Sequence, residues 1–559
     1  MATLVEGKRP AEPARMPPVV VVNIIWNIAV VIGSLLLAWN LFQGTYPFFE
    51  DLGRPVEIFV SAVGLLPGLL AIYSIINMAL RRPGGRFAAI IIDYVIAVLG
   101  GFALFSLWGI FLGLDNISPA ILDNAQWLWG VAGGYALYWI GGRLPADSPA
   151  QIWVERAGVG LAMLALIILL WTGGILDAAS AILSTYANLE TWVVTAVVIF
   201  SGLLAFFMIR TGDYFDETPE QQATWQGWLM LSPNIIGFMI FFAGPLLLSF
   251  YLSFTNDTVG RVPEFTGLEN YLTILSLEIA PMDTPEANPQ DFLSFGYASL
   301  AEFNLFGTHY VLGARDTLFW LSLRNTILFC LMLVPLSSIP ALALALILNS
   351  KLPGMKIYRA VYFVPSIAAV VGTALIWRWL YDPTIGYINY TITQIVNFLN
   401  STFGLSLTDP RIEWLTGQGI VLFSIVILAA WQVVGFNTVL FLAGLQGIPK
   451  ILYEAAYVDG ANAWQRFRNV TLPLLGPTTF FVIITTVIQG LQVFNEPYAL
   501  IPSRPLPIDA TTSVYYLYTR GFFRFEFGYA SSVAWILFGL IFLVTLVQFR
   551  LQRSRAYED

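Results

Sequence analysis

"EAAYVDGANAWQRFRNVTLPLLGP", residues 454–477, separates two long apolar runs, Ile420 to Leu445 and Leu472 to Phe494. The segment is polar, rich in helix formers and broken by a single glycine. It reads as one short helix from Glu454 to Gly460 and a second from Ala461 toward Leu472-Pro473. Glycine allows the sharp turn between them because it adopts positive φ at little cost. At a membrane face such a hairpin presents a small knob to a soluble partner. Ala455, Ala456 and Ala461 keep that knob thin, and Glu454 offers a carboxylate to a basic partner. The plainer alternative is an amphipathic linker.

The surrounding chain is apolar from end to end. Of its 559 residues 57% are hydrophobic and 11% charged, with a mean hydropathy of +0.73. Soluble domains carry about 25% charged residues. Apolar runs of membrane-spanning length recur throughout, so the chain is a polytopic membrane protein. The one cysteine, Cys330, excludes a disulfide within the chain, and with one histidine, His309, a Cys/His zinc site has too few ligands. A net charge of −8 argues against nucleic acid as a partner.

About twelve transmembrane helices are expected, in an all-α fold. Six lie at Val19–Leu41, Ile58–Leu80, Phe87–Leu112, Trp127–Ile140, Gly158–Ile175 and Trp192–Ile209. Six more lie at Trp228–Phe254, Leu323–Leu348, Tyr362–Leu380, Ile420–Leu445, Leu472–Phe494 and Tyr529–Phe549. The fourth is short and Gly-rich. The first is too long for a signal-peptide core and reads as an uncleaved span. With the N-terminus in the cytoplasm, inside segments hold 18 Lys and Arg, among them Lys8, Arg9, Arg81, Arg82, Arg86, Lys351, Lys356, Lys450, Arg553 and Arg555. Outside segments hold seven, including Arg54 and Arg261, while Arg324 and Arg378 sit at span ends. This bias places both termini and the 454–477 segment in the cytoplasm. Three regions follow: a membrane extension 1–211, a polar acidic linker 212–227, and a core 228–559 with an outer loop 255–317 and a cytoplasmic loop 450–473. No internal repeat stands out.

The spacing Glu454-Ala455-Ala456, Gly460, Val470, Leu472-Pro473 resembles the EAA loop of ABC-importer membrane subunits. With Asp459, Ala461, Phe467 and Pro477 it is similar to the carbohydrate-uptake branch, of maltose-permease type. "SPNIIGFMIFFAGPLLLSFYLSFTN" (232–256), "FTGLENY" (265–271) and "YDPTIGYIN" (381–389) resemble further stretches of that family in the same order. The resemblance covers residues 226 to 552 and not residues 1 to 225. It implies that the last six spans form a type I importer permease core. It further implies that Glu454, Ala455, Ala456, Asp459, Gly460 and Ala461 form the coupling helix that docks on a cytoplasmic ATPase. The implied partners are a second permease, two ATP-binding subunits and an extracytoplasmic solute-binding protein, in a bacterial or archaeal cytoplasmic membrane. ATP and Mg would bind the partner ATPase, with no cofactor in this chain. In agreement, none of the four lysines precedes Ser or Thr, so no phosphate loop exists. Closure of the ATPases would then move this loop and rock the spans behind it.

Candidate substrate ligands lie within the spans. Thr485, Gln489, Gln492 and Glu496 are spaced to share one helix face, and Ser366, Thr373 and Trp377 follow the same spacing on another span. Hydroxyls and amides suit sugar hydroxyls, and the rings of Trp377, Trp431 and Phe494 suit the apolar faces of sugars. The family resemblance points near Ser366, Val370, Thr486, Gln489, Gly490 and Val493. Several of these are apolar here, so maltose itself is not implied. The substrate-binding set is therefore Ser366, Thr373, Trp377, Trp431, Gln432, Thr485, Thr486, Gln489 and Gln492. The competing reading is that these groups bond helix to helix. Asp93, inside a span, is either a proton-coupling group or a carboxylate held by snorkelling or a local hydrogen bond.

Two other function classes compete. A self-contained transporter of the major facilitator type also has twelve spans, and "LRRPGGRF" (80–87) resembles its basic loop without the acidic residue. A regulatory membrane scaffold, with the first half as sensor, is the third.

Overall fold

The computed structural model describes residues 15–44, 54–110, 122–145, 148–258, 263–350 and 353–556. Lys8, Arg9, Arg261 and Lys351 lie outside the described residues, as do the side chains of Lys356, Arg553 and Arg555. The chain forms two compact units divided between Met239 and Ile240. Helices named below are numbered in chain order.

The first unit contains α1 (Pro18–Phe42), α2 (Arg54–Gly64), α3 (Leu66–Ala79), α4 (Pro83–Leu107), α5 (Gln126–Gly141), α6 (Pro149–Thr172), α7 (Leu189–Met208) and α8 (Pro219–Phe238). Proline at the first turn of α4, α6 and α8 costs no hydrogen bond, because that N–H has no intrahelical partner. Residues 212–227, expected as a linker, form a 3-10 turn at Gly212–Phe215 and the opening turns of α8. Thr218 and Gln221 close a capping box there.

α5 has 16 residues, rising about 24 Å, short of the roughly 20 residues a span needs. It pairs with α6 at glycine: a Cβ on Gly134 would lie 2.6 Å from Gly158 O, and one on Gly158 2.6 Å from Gly134 O. Only a residue without a side chain allows that approach.

Two buried polar sites fix the rest of this unit. Arg86, counted from sequence among the inside-segment charges, is fully buried. Its guanidinium donates to Met208 O (2.9 Å) and Ile209 O (2.6 Å), pairs with Glu217 and lies over the Trp225 ring. The last carbonyls of α7 lack helical partners, and an arginine fork supplies donors to them. Asp93 is also fully buried and accepts from Asn23 Nδ2, while Asn27 Nδ2 donates to Asn23 Oδ1 at 2.6 Å. Its carboxylate is held locally and does not snorkel.

The second unit opens with a π-helical turn (Met239–Ala243) and α9 (Gly244–Leu252). The outer loop folds into an antiparallel sheet of β1 (Leu277–Met282), β2 (Ala298–Leu305) and β3 (Thr308–Ala314), in the order β1-β3-β2. Then come α10 (Thr317–Leu348), α11 (Met355–Ile367), α12 (Val370–Leu380), α13 (Val421–Gly447), α14 (Lys450–Val458), α15 (Ala463–Arg466), α16 (Gly476–Leu491), α17 (Asn495–Leu500), α18 (Ser513–Tyr518) and α19 (Phe527–Ala556). In α13, 61% of the apolar window is buried, against 28% in α10, so α13 is the centre of the bundle. Asp316 ties the outer edge together. It caps α10 through Phe319 N (3.0 Å) and accepts from the hydroxyls of Tyr516 and Tyr529.

Among the described residues nine helices are long and apolar enough to cross a membrane, or eleven if two bent pairs each count as one span. The twelfth expected span is α5. The bent pairs are α11 with α12, at 96°, and the stretch Ala463–Leu474 with α16, at 66°. The expected continuous spans Tyr362–Leu380 and Leu472–Phe494 are thus both broken.

Candidate functional site

The polar segment that interrupts the apolar runs folds as two short helices around Gly460. α14 carries Glu454, Ala455 and Ala456, and Asp459 is its C-cap. Gly460 sits at φ +76°. Its N–H donates to Tyr457 O (3.1 Å), and Ala461 N–H donates to Ala456 O (3.0 Å). These two bonds are a Schellman motif, which requires the left-handed residue at Gly460. Asn462 then caps α15 by accepting from Gln465 N (2.9 Å), and Gln465 Oε1 accepts from Asn462 N (2.8 Å). One helix is closed and the next opened within four residues.

Glu454, Ala455, Asp459 and Gly460 are exposed, and Ala456 and Ala461 half-buried. Around them Val458 is 84% exposed, Tyr457 72% and Trp464 65%. Trp464, Arg466, Phe467 and Tyr453 line an open groove beside the turn. The loop is anchored from behind. Tyr453 packs on a buried cluster that includes Ala345 of α10, Phe441 and Leu445 of α13, and Val482 of α16. The Tyr453 and Thr471 hydroxyls lie 3.0 Å apart. A push on α14 therefore reaches three membrane helices through packed side chains.

The expected ligand faces in the membrane do not form as continuous stripes. α11 ends at Ile367 and α12 starts at Val370, so Ser366 is separated from Thr373 and Trp377 by the 96° bend. α16 ends at Leu491, which puts Gln492 at its C-cap and Glu496 on α17. Thr485 and Gln489 remain on one face of α16. The hydroxyls of Ser366, Thr373 and Thr485 donate to carbonyls of their own helices, at 2.7, 3.1 and 2.8 Å. They retain only acceptor capacity for a ligand.

Thr486 is fully buried and accepts from Asn437 Nδ2 (3.2 Å), which also lies 3.5 Å from Ser337 Oγ. This site joins α10, α13 and α16 as helix–helix glue. Gln432 is buried, and its Oε1 has no hydrogen-bond partner among the described residues. The structure does bring Trp377 and Trp431 together, edge to face with centroids 5.7 Å apart. Gln489 and Gln492 are exposed. Among the expected ligands, the exposed amides of Gln489 and Gln492 and the unpartnered Gln432 Oε1 are the side-chain groups least committed to the helices.

Several organising residues went unread in the sequence. Asn437 is one, visible only as an amide within an apolar run. Arg378, placed at a span end, donates to Ala499 O (2.8 Å) and Leu500 O (3.2 Å) and so holds α17 against α12. In "YDPTIGYIN", Asp382 closes a turn on Ile385 and Thr384 N–H groups and the Thr384 hydroxyl, which hold its carboxyl below the usual range. Asn389 donates to Ile412 O and accepts from Trp414 Nε1, both at 2.9 Å. In "FTGLENY", Asn270 donates to Ser253 O and Thr255 O, and Tyr271 to Ser253 Oγ. Both stretches are clamps on helix ends.

The second unit is thus a helical bundle with two broken candidate spans and a two-helix knob beside it. Residues 320–556 match the family described as binding-protein-dependent transport system inner membrane component. The chain is 31% identical over 326 residues to the probable ABC transporter permease protein YesP of Bacillus subtilis, covering 58% of this chain and 89% of that one. It is 31% identical over 331 residues to the trehalose/maltose transport system permease protein MalF of Thermococcus litoralis, covering 59% and 94%. It is 30% identical over 328 residues to the arabinooligosaccharides transport system permease protein AraP of Bacillus subtilis, covering 58% and 88%. The chain belongs to the ABC transporter permease family of binding-protein-dependent systems, and is a multi-pass inner-membrane protein. The major-facilitator alternative falls with that membership.

Proposed function

We propose that this chain is the permease subunit of a carbohydrate importer, moving a sugar or oligosaccharide into the cell. Energy comes from separate ATP-binding subunits that grip Glu454 to Ala461. ATP and Mg belong to those subunits. A second permease completes the pathway, and a solute-binding protein delivers substrate from outside. Both termini lie in the cytoplasm. The observation that carries this reading is the Schellman-turned knob with Tyr457, Val458 and Trp464 uncovered and Tyr453 packed on three membrane helices. The carbohydrate class draws support from the arabinooligosaccharide and trehalose/maltose relatives, and from the exposed amides of Gln489 and Gln492 and the Trp377–Trp431 pair as candidate polyol ligands. Residues 1–211 are an accessory membrane domain outside the pathway.

The test is reconstitution of the chain with its permease and ATPase partners in vesicles, with labelled oligosaccharides and the loaded binding protein. Substrate-stimulated ATP hydrolysis and uptake should both appear, and a cysteine at Val458 should cross-link to the ATPase. Uptake by this chain without an ATPase would overturn the proposal.

A further inference from the structure

Two cavities lie in succession between α4 and α8, the first beside the N-terminal ends of both helices. Near the interface a cavity of about 340 Å³ is lined by Pro83, Gly84, Glu220, Gln221 and Thr224. Deeper, a cavity of about 350 Å³ is lined by Ile91, Val95, Leu229 and Ile236. Phe87, Trp225 and Trp228 line both. The deep wall is apolar. Its one serine hydroxyl, Ser232, is tied to Leu229 O at 2.5 Å. From Phe87 to Val95 the helix rises about 12 Å, close to the hydrocarbon depth of one leaflet, half of a core about 30 Å thick. Tryptophan at the junction of the two chambers matches the interfacial belt of membrane proteins.

Glu220 lines the mouth, and Arg82 is the N-cap of α4, next in sequence to the lining residue Pro83. Both are exposed, and neither makes an ion pair among the described residues. Arg86 and Glu217 are committed to each other below. We propose that this slot is a binding site for one phospholipid with a zwitterionic, primary-amine headgroup. One acyl chain lies along Ile91 to Val95. The ammonium donates to Glu220 and the phosphate accepts from Arg82. A quaternary amine has no N–H to donate to Glu220, and a glycerol headgroup has no cation for it. This site rests on the first unit alone and is independent of the transport reading.

The experiment incorporates the full-length chain into nanodiscs of equal phosphatidylethanolamine, phosphatidylcholine and phosphatidylglycerol, followed by native mass spectrometry. One phosphatidylethanolamine should stay bound, at least fivefold over either other lipid. Glu220→Gln and Arg82→Gln, both surface changes, should abolish the preference while helicity and thermal transition stay unchanged. Ile91→Trp should displace the retained lipid and lower quenching of tryptophan by bromo-acyl phosphatidylethanolamine. Equal retention of the three lipids would overturn the proposal, marking only bulk boundary lipid. A preference that survives both headgroup variants would overturn it as well.

Discussion

At the scale of single residues, Gly460 and Asn437 carry the sharpest expectations. Gly460→Pro removes the N–H that reaches Tyr457 O and forbids φ +76°. Uptake should vanish while membrane insertion, followed by protein abundance in membranes, stays normal. Gly460→Ala should cost about 1–2 kcal/mol locally, from the left-handed backbone alone, and so give intermediate uptake. Asn437→Ala strips a partner from buried Thr486 and should lower bundle stability by about 1–3 kcal/mol in thermal unfolding. Gln489→Ala should leave the melting curve alone and weaken uptake, by a hydrogen bond worth about 0.5–1.5 kcal/mol. If both lose stability equally, Gln489 is packing too. The glycine turn was legible because its signal is local: one residue type suits one backbone conformation. The role of Thr486 was not. A threonine in an apolar run looks the same whether it faces a substrate or an asparagine on another helix.

At the scale of elements, hydropathy counted the spans better than it drew them. Lipid rewards apolar side chains whether or not the backbone is straight, so the bends at Ala368–Ala369 and near Leu475 leave no mark in an apolar profile. The stripe Thr485–Glu496 failed for that reason: the apolar run continues to Phe494, but the helix stops at Leu491. The positive-inside count records which side an arginine lies on and nothing of its partners, so it gave no sign that Arg86 fills the carbonyls that end α7. Arg86→Leu should therefore act through structure. It leaves Glu217 buried without its cation, a loss of about 3–5 kcal/mol expected in unfolding of the full chain. A melting point unchanged by that variant would show that Glu217 finds another partner.

At the scale of the whole molecule, the family match and the compact units divide the chain at different places. The family match covers residues 320–556, the resemblance read in the sequence starts near residue 226, and the compact units divide after Met239. Expression of residues 212–559 with the partner subunits should keep uptake per assembled complex while lowering the yield of complex, because Trp225 and Trp228 lose α4. Assembly without uptake would put residues 1–211 in the mechanism. The uncovered knob has a separate bearing on the cell's accounting of subunits. Val458, Tyr457 and Trp464 are exposed, and under the proposed function an ATPase would cover them. A copy made in excess of its partners carries a hydrophobic flag of the kind that chaperones and proteases survey. The loop proposed to transmit force in the finished transporter would then also report, by its exposure, that a transporter is unfinished, and stoichiometry would be set by degradation of the unclaimed chain.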